Sequence, residues 1–308
     1  MYKKTLLSLA IASTLTLTGC LENDKQENEN VGSNPNGLTP EEIAELEAAA
    51  GTYPVFNPIL AQIPTPNDLI FDKDAGDGTF KVGDTTPPVT TAINQISGAS
   101  TTAAIDIEMS GLINPDTVIA NALNSTVFLV ALEYASGNAV QGLSIKEKPT
   151  ASSNQPKFTV AVNTLTSRHT GEDTSFIRIL PTEPLDPLKR YVVIITDEIE
   201  VKDMPETSIK QSPTYANLTN ENEPLLSASL QPVRDLINIL WEPVSLLTFN
   251  TPNPAFGGVS LNTARQANSL PALSDSNVAL SYSFTTSGDE KVLEYTANPS
   301  EWFSDQLN

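Results

Sequence analysis

Tyr191-Val192-Val193-Ile194-Ile195-Thr196 is the stretch on which the fold turns. It is apolar on both of its faces, so it reads as a strand covered from both sides and central in its sheet. On its N-terminal side, Ala104-Ile105-Asp106-Ile107-Glu108-Met109 alternates apolar and acidic residues, the period of a half-buried strand. Thr126 to Leu132, Lys157 to Val162 and Phe176 to Leu180 read as further strands. On the C-terminal side, Val278-Ala279-Leu280-Ser281-Tyr282-Ser283-Phe284-Thr285-Thr286 alternates apolar with small polar residues and is expected to close the unit. Short strands separated by Pro, Asn, Gly and Ser predict a mainly β chain. The expected fold is an immunoglobulin-like antiparallel β-sandwich with a few short inserted helices.

Three stretches depart from the β pattern. Thr39-Pro40-Glu41-Glu42 carries a capping box with Pro at the first helical position, and Ile43, Leu46 and Ala50 share a face before Gly51 ends the helix. Between 221 and 247, Leu225, Leu226, Leu230, Val233, Ile237, Leu240 and Trp241 recur at helical spacing. One or two helices are expected there, broken near Pro232 and ended before Pro243. Residues 260–273 offer another short helix. Residues 53–71 hold four prolines, which forbid a helix or a central strand. They are expected to run extended across the domain, pinned by Phe56, Ile59, Leu69 and Phe71. Asp77-Gly78 marks a hairpin turn between Leu69-Ile70-Phe71 and Thr79-Phe80-Lys81-Val82.

The N-terminus reads as an export signal. Lys3 and Lys4 precede an apolar run from Leu6 to Thr18, which is too short to span a bilayer, a task that takes about 20 residues. The run ends in Leu17-Thr18-Gly19-Cys20, similar to the lipobox of bacterial lipoproteins. Cleavage is expected between Gly19 and Cys20, with lipid on Cys20, the sole cysteine. Residues 1–19 then form a lipoprotein signal peptide and residues 20–37 a disordered tether with almost nothing to bury. Residues 38–290 form the β-sandwich domain, and residues 291–308 a tail or linker remnant. By resemblance to the sorting rules of bacterial lipoproteins, Leu21 rather than Asp after the cysteine implies the outer membrane, on its periplasmic or surface face.

The chain has 17 basic and 37 acidic side chains, a formal charge of −20. Such a surface repels nucleic acid and anionic head groups, so nucleic acid is excluded as a partner and membrane attachment falls to the covalent lipid. With the one cysteine lipidated, the domain has no disulfide, and its stability must come from burial.

Several peptides resemble, in order, the N-terminal domain of the bacterial virulence-factor lipases. They are Phe56-Asn57-Pro58, Ile63-Pro64-Thr65-Pro66-Asn67-Asp68-Leu69-Ile70-Phe71 and Asp77-Gly78-Thr79. Ser100 to Ile105, Leu185 to Val193 and Ser281 to Thr286 follow. Ala104 stands where the family has Pro, and Glu198 where it often has Gly. The resemblance covers roughly residues 53–290. It implies a surface-anchored or extracellular lipase or lysophospholipase family, whose N-terminal module precedes an α/β-hydrolase domain. It also implies that hydrolase domain, or a lipid substrate, as partner. The sequence ends about twenty residues after the closing strand, without that hydrolase domain. The expectation is therefore a non-catalytic module, with the N-terminal part of an active lipase and an adhesion or glycan-binding lipoprotein as alternatives.

No catalytic residue, cofactor or metal site is expected in the chain itself. Ester hydrolysis of this type needs Ser on a Gly-x-Ser-x-Gly elbow with a His base. Gly257-Gly258-Val259-Ser260-Leu261 lacks the second Gly, and His169, the only His, sits in a loop-like stretch. Asp72 to Gly83 departs from the calcium-loop pattern, because Gly83 stands where the closing Glu belongs. The carboxylate pairs Glu198/Glu200 and Glu183/Asp186 are the spacing expected by chance among so many acids. Trp241 is expected in the core, and Trp302-Phe303 in the tail.

Overall fold

The computed structural model describes residues 37–70, 73–74, 80–81, 98–137, 147–166, 171–288 and 297–300. Its elements in chain order are α1 (Pro40–Ala48), β1 (Lys73–Asp74), β2 (Phe80–Lys81), β3 (Ile105–Glu108), β4 (Val127–Glu133) and β5 (Thr150–Ala151). Then come β6 (Phe158–Thr166), β7 (Asp173–Pro181), β8 (Arg190–Thr196), α2 (Pro213–Thr219), α3 (Gln231–Leu236) and α4 (Glu242–Asn250). The last are β9 (Pro252–Asn253), β10 (Val259–Ser260), α5 (Leu261–Ala267) and β11 (Val278–Thr285).

The main strands are antiparallel and lie in two sheets. One has the order β11-β8-β4-β5, the other β3-β7-β6. Every residue of β8 and of β11 is buried. The register explains why. Tyr191, Val193 and Ile195 lie on one face with Leu280, Tyr282, Phe284, Val127 and Leu129. Phe284 stacks on its cross-strand neighbour Tyr191 at 5.5 Å. The other face carries Val192, Ile194, Phe128 and the small residues Ser281 and Ser283. It is covered by helices: Phe249 of α4 meets Phe128 edge-on at 5.6 Å, and Trp241 and Tyr215 lie over Ser283 and Ser281. The small serines leave room for those large rings.

The β3-β7-β6 sheet is one-sided. Ile105, Ile107, Ile177 and Ile179 are buried and join the same apolar core as β8 and β11. Its other side carries Asp106 and Arg178, paired side-on through 2.6 and 2.7 Å contacts.

The proline-rich strap borders β3 through isolated bridges, Pro54 to Met109 and Thr65 to Asp106. Phe56 is fully buried, and Ile59, Ile63 and Leu69 pack against the core. Phe71, the Asp77-Gly78 turn and the calcium-like loop lie outside the described residues. The hairpin's strands pair as Lys73 with Lys81 and Asp74 with Phe80, whereas Asp68–Ile70 is a 3-10 turn rather than part of the hairpin.

The helices differ from expectation in three ways. In α1 the capping box forms, but the buried residues are Ile43 and Glu47, while Leu46 is exposed. The long helical run does not stop before Pro243. It begins with Pro232 in its first turn and continues to Asn250 through a π turn at Ile237–Trp241. Pro243, lacking an N–H, sits directly after that turn, where α-helical bonding restarts and the missing donor costs little. Helix α2 gave no periodic signal. Seven residues hold it, with Ser212 as N-cap and Tyr215 against Phe56 at 5.6 Å.

Candidate functional site

Gly19 and Cys20 lie outside the described residues, as do residues 21–36 of the tether, His169 and Trp302-Phe303. Among the described residues the polar chemistry gathers at four places.

The most buried is a node around Arg190 and Asp68. Their side chains are 0% and 1% exposed. Arg190 Nε donates to Asp68 Oδ2 at 3.1 Å and to Thr285 Oγ1 at 3.2 Å, and Nη1 donates to the Tyr134 hydroxyl at 2.9 Å. The guanidinium lies 5.5 Å from the centre of the Tyr134 ring. Ser283 Oγ donates to Asp68 at 2.7 Å and accepts from Trp241 Nε1 at 3.1 Å. Burial pushes the Tyr134 phenol up, and Arg190 opposes that shift. Asp68 Oδ1, Arg190 Nη2 and Asn67 Nδ2 make no hydrogen bond. The node therefore lacks the two-pronged fork of an ideal Arg–carboxylate pair. Sealed from solvent, it cannot touch a substrate. It fastens the strap, β8, β11, β4 and the π turn together.

Glu47 forms a second buried group. Its Oε1 accepts from Thr214 N at 3.0 Å and from Thr214 Oγ1, placing a carboxylate on the first turn of α2. The Tyr53 hydroxyl donates to the Glu47 carbonyl at 2.8 Å. Burial, and then the Glu47 charge, pushes the Tyr53 phenol up.

The third place comes nearest to a nucleophile. Ser152 Oγ donates to Glu133. Lys189 Nζ donates to Ser152 Oγ at 3.2 Å and to Asp186 at 3.3 Å. Asn154 N also donates to Ser152 Oγ, at 3.2 Å. A cavity of about 100 Å³ lies alongside, lined by Gln155, Lys157, Glu183, Asp186 and Tyr191. The two donors occupy the lone pairs that an attacking oxygen would use, and Lys189 is held by carboxylates rather than free to accept a proton. The arrangement is a structural clasp between β5 and the start of β8.

The fourth is an open depression of about 440 Å³ between α2 and α3, lined by Glu221, Glu223, Arg234, Asp235 and Asn238. Arg234 spends its Nη1 and Nη2 on the Glu223 and Asn217 carbonyls, at 2.9 and 2.6 Å.

No family model matches the chain, and neither a curated protein nor a solved structure matches it.

The sequence candidates resolve into structural roles. Glu198 binds Arg265, and Glu200 accepts from Asn114. Glu183 pairs with Lys157 at 2.8 Å, and Asp186 with Lys189. Ser260 caps α5, accepting from Thr263 N at 3.2 Å. Trp241 is fully buried in the core. No group of three His, Cys, Asp or Glu side chains is placed to hold a metal among the described residues. No described helix is long and apolar enough to cross a membrane.

No single stretch of the sequence marks the node, because its residues come from distant parts of the chain. Yet Asp68, Arg190 and the pair Ser283 and Thr285 each come from one of the peptides quoted for the family resemblance. Leu185 N, in the peptide that holds Arg190, also donates to the Thr101 carbonyl at 2.8 Å, joining a fourth of those peptides. Charged residues inside otherwise apolar or proline-rich stretches were the available signal.

Proposed function

We propose that the chain is a lipid-anchored, non-catalytic module displayed at the outer membrane, built on an immunoglobulin-like β-sandwich and akin to the N-terminal module of the virulence-factor lipases and lysophospholipases. The fold part of this reading is supported by strand order. In an immunoglobulin sandwich one sheet runs B-E-D and the other C′-C-F-G. Assigning β3, β4, β5, β6, β7, β8 and β11 in chain order to B, C, C′, D, E, F and G reproduces both sheets. The strap borders β3, the place of strand A. Tyr191, near the start of the F position, accepts a 2.8 Å hydrogen bond from Asp186 N, five residues upstream. That is the geometry of a tyrosine corner. The segment between β8 and β11, with its helices, then replaces the short F–G loop.

The single observation that carries the functional part is the Leu17-Thr18-Gly19-Cys20 lipobox after a short basic and apolar leader. The fixed partners of Ser152, Ser260 and the paired carboxylates agree with a role in positioning rather than reaction. Three of the family-like peptides, those with Asp68, Arg190 and the pair Ser283 and Thr285, meet at one buried node, which agrees with a role for them in the fold. The test is fractionation of cells that make the chain. The native protein is expected in outer membranes with an N-terminal peptide heavier by its acyl groups, and Cys20→Ser in the soluble fraction. Native protein of unmodified mass, released without detergent, would refute the reading. Turnover of a lysolipid by the purified chain, lost in one serine variant, would refute its non-catalytic part.

A further inference from the structure

The helical layer carries an apolar stripe that nothing among the described residues covers. Ile239, Leu246 and Leu247 are 36%, 37% and 41% exposed, and Pro243 is exposed between them. Their spacing puts them on one side of the π turn and α4. The inward side of the same run, with Leu240, Trp241, Val244 and Phe249, is fully used in packing on the β8 and β11 sheet. The outer side of the β3-β7-β6 sheet, at the opposite surface, bears the Asp106–Arg178 pair and Thr159, and its exposed leucines, Leu165 and Leu180, stand at opposite ends of the β6–β7 pair rather than in one stripe.

The root of the tether lies in the helical layer as well. Leu38 N donates to the Leu226 carbonyl at 2.9 Å, immediately before the turn that opens the long helical run. Residues 20–37 separate Cys20 from that point. The sequence of that segment is polar with almost nothing to bury, and a coil of that length has a typical reach of about 24 Å. A domain of this size is about 45 Å across, from a radius of gyration near 18 Å. The tether is thus shorter than the domain is wide, and a bilayer holding Cys20 meets the surface nearest Leu38 far more often than the opposite one. Asp235 and the half-buried Glu242 border the stripe, which disfavours anionic lipid and leaves an uncharged or zwitterionic surface as the fitting partner.

We infer that Ile239, Pro243, Leu246 and Leu247 form a membrane-facing contact that lays the helical layer on the zwitterionic lipid surface holding the anchor. This inference rests on lipidation of Cys20. Tethering holds the weak apolar contact at high effective concentration, so it need not bind lipid alone. It orients the module with the Asp106–Arg178 surface outward.

The test uses the full lipidated chain in phosphatidylcholine vesicles. Lipidation consumes the Cys20 sulfur, so a polarity-sensitive dye can be placed on Leu246→Cys or, as control, on Thr159→Cys at the outer side of β6. The expected result is a blue-shifted, at least twofold brighter dye at 246, and a water-like signal at 159. The Cys20→Ser form labelled at 246 should show no shift with the same vesicles. Protein that floats with the vesicles while the 246 dye stays water-like, or while both sites shift equally, overturns the orientation and leaves the anchor standing. Protein that does not float overturns both.

Discussion

Tyr191 and Tyr282 carry the same phenol on the same buried face and should answer the same mutation with opposite signs. The Tyr191 hydroxyl accepts from Asp186 N, so Tyr191→Phe strands a backbone donor and is expected to cost about 1–2 kcal/mol. The Tyr282 hydroxyl is buried without a hydrogen bond, so Tyr282→Phe removes a desolvated group without changing shape. It is expected to stabilise by about 1 kcal/mol. Urea unfolding midpoints at unchanged slope will decide both signs. The Arg190–Asp68 node should behave as a buried pair. Arg190→Met alone is expected to cost about 3–5 kcal/mol by leaving Asp68 charged and uncompensated, and adding Asp68→Leu should recover much of the loss. Equal losses in the single and double variants would show that the pair itself holds the strap. Such a node is hard to see in sequence because Asp68 and Arg190 are 122 residues apart, and each alone resembles a solvated surface charge.

At the scale of elements, legibility followed the source of each element's stability. Strands β3, β4, β6, β7, β8 and β11 were visible because their burial is written into a local period of two or into two-sided apolarity. The capping box of α1 was visible for the same local reason. Helix α2 was not, because its residues Thr214, Asn217 and Thr219 are poor helix formers and its support comes from Glu47 and Phe56, far away in the chain. Pro243 misled because proline is a reliable stop only when helical bonding is uninterrupted, and the π turn before it had already reset that bonding. One further contact between elements is exposed to a single methyl group. Ala99 bridges Thr286 in parallel at the end of β11, and Gly98 approaches so closely that an added Cβ would lie 2.7 Å from the Thr286 carbonyl carbon. Backbone cannot yield as a side-chain tip can. Gly98→Ala is expected to cost about 1–3 kcal/mol and to raise hydrogen exchange at Ala99 and Ser287, both of which bond across this junction. Unchanged exchange there would show that residues 98–99 give way without loss.

Over the whole molecule, a charge of −20 means that each buried or crowded carboxylate works against the rest. Glu242, at the start of α4, is the clearest case. Burial raises its pKa most, with Asp275 and then Glu221 adding to the shift, and Asp197 is raised mainly by burial as well. A carboxyl whose folded pKa lies above its unfolded value keeps its proton longer in the native state. Its favourable contribution is complete below the unfolded value, near about 4.3 for Glu, and is lost as pH rises through the folded value. Glu242→Gln should therefore raise the unfolding midpoint at pH 7 relative to the native chain, and the two midpoints should converge as pH falls towards 4. Salt separates the causes. Added sodium chloride screens Asp275 and Glu221 but does not remove the cost of burying the charge. The advantage of the variant at pH 7 should thus shrink only in part at high salt, even though the native chain gains stability from relief of its overall repulsion. A difference that disappeared in salt would assign the strain to neighbouring charges rather than to burial, and would place Glu242 in the same class as the solvated acids around it.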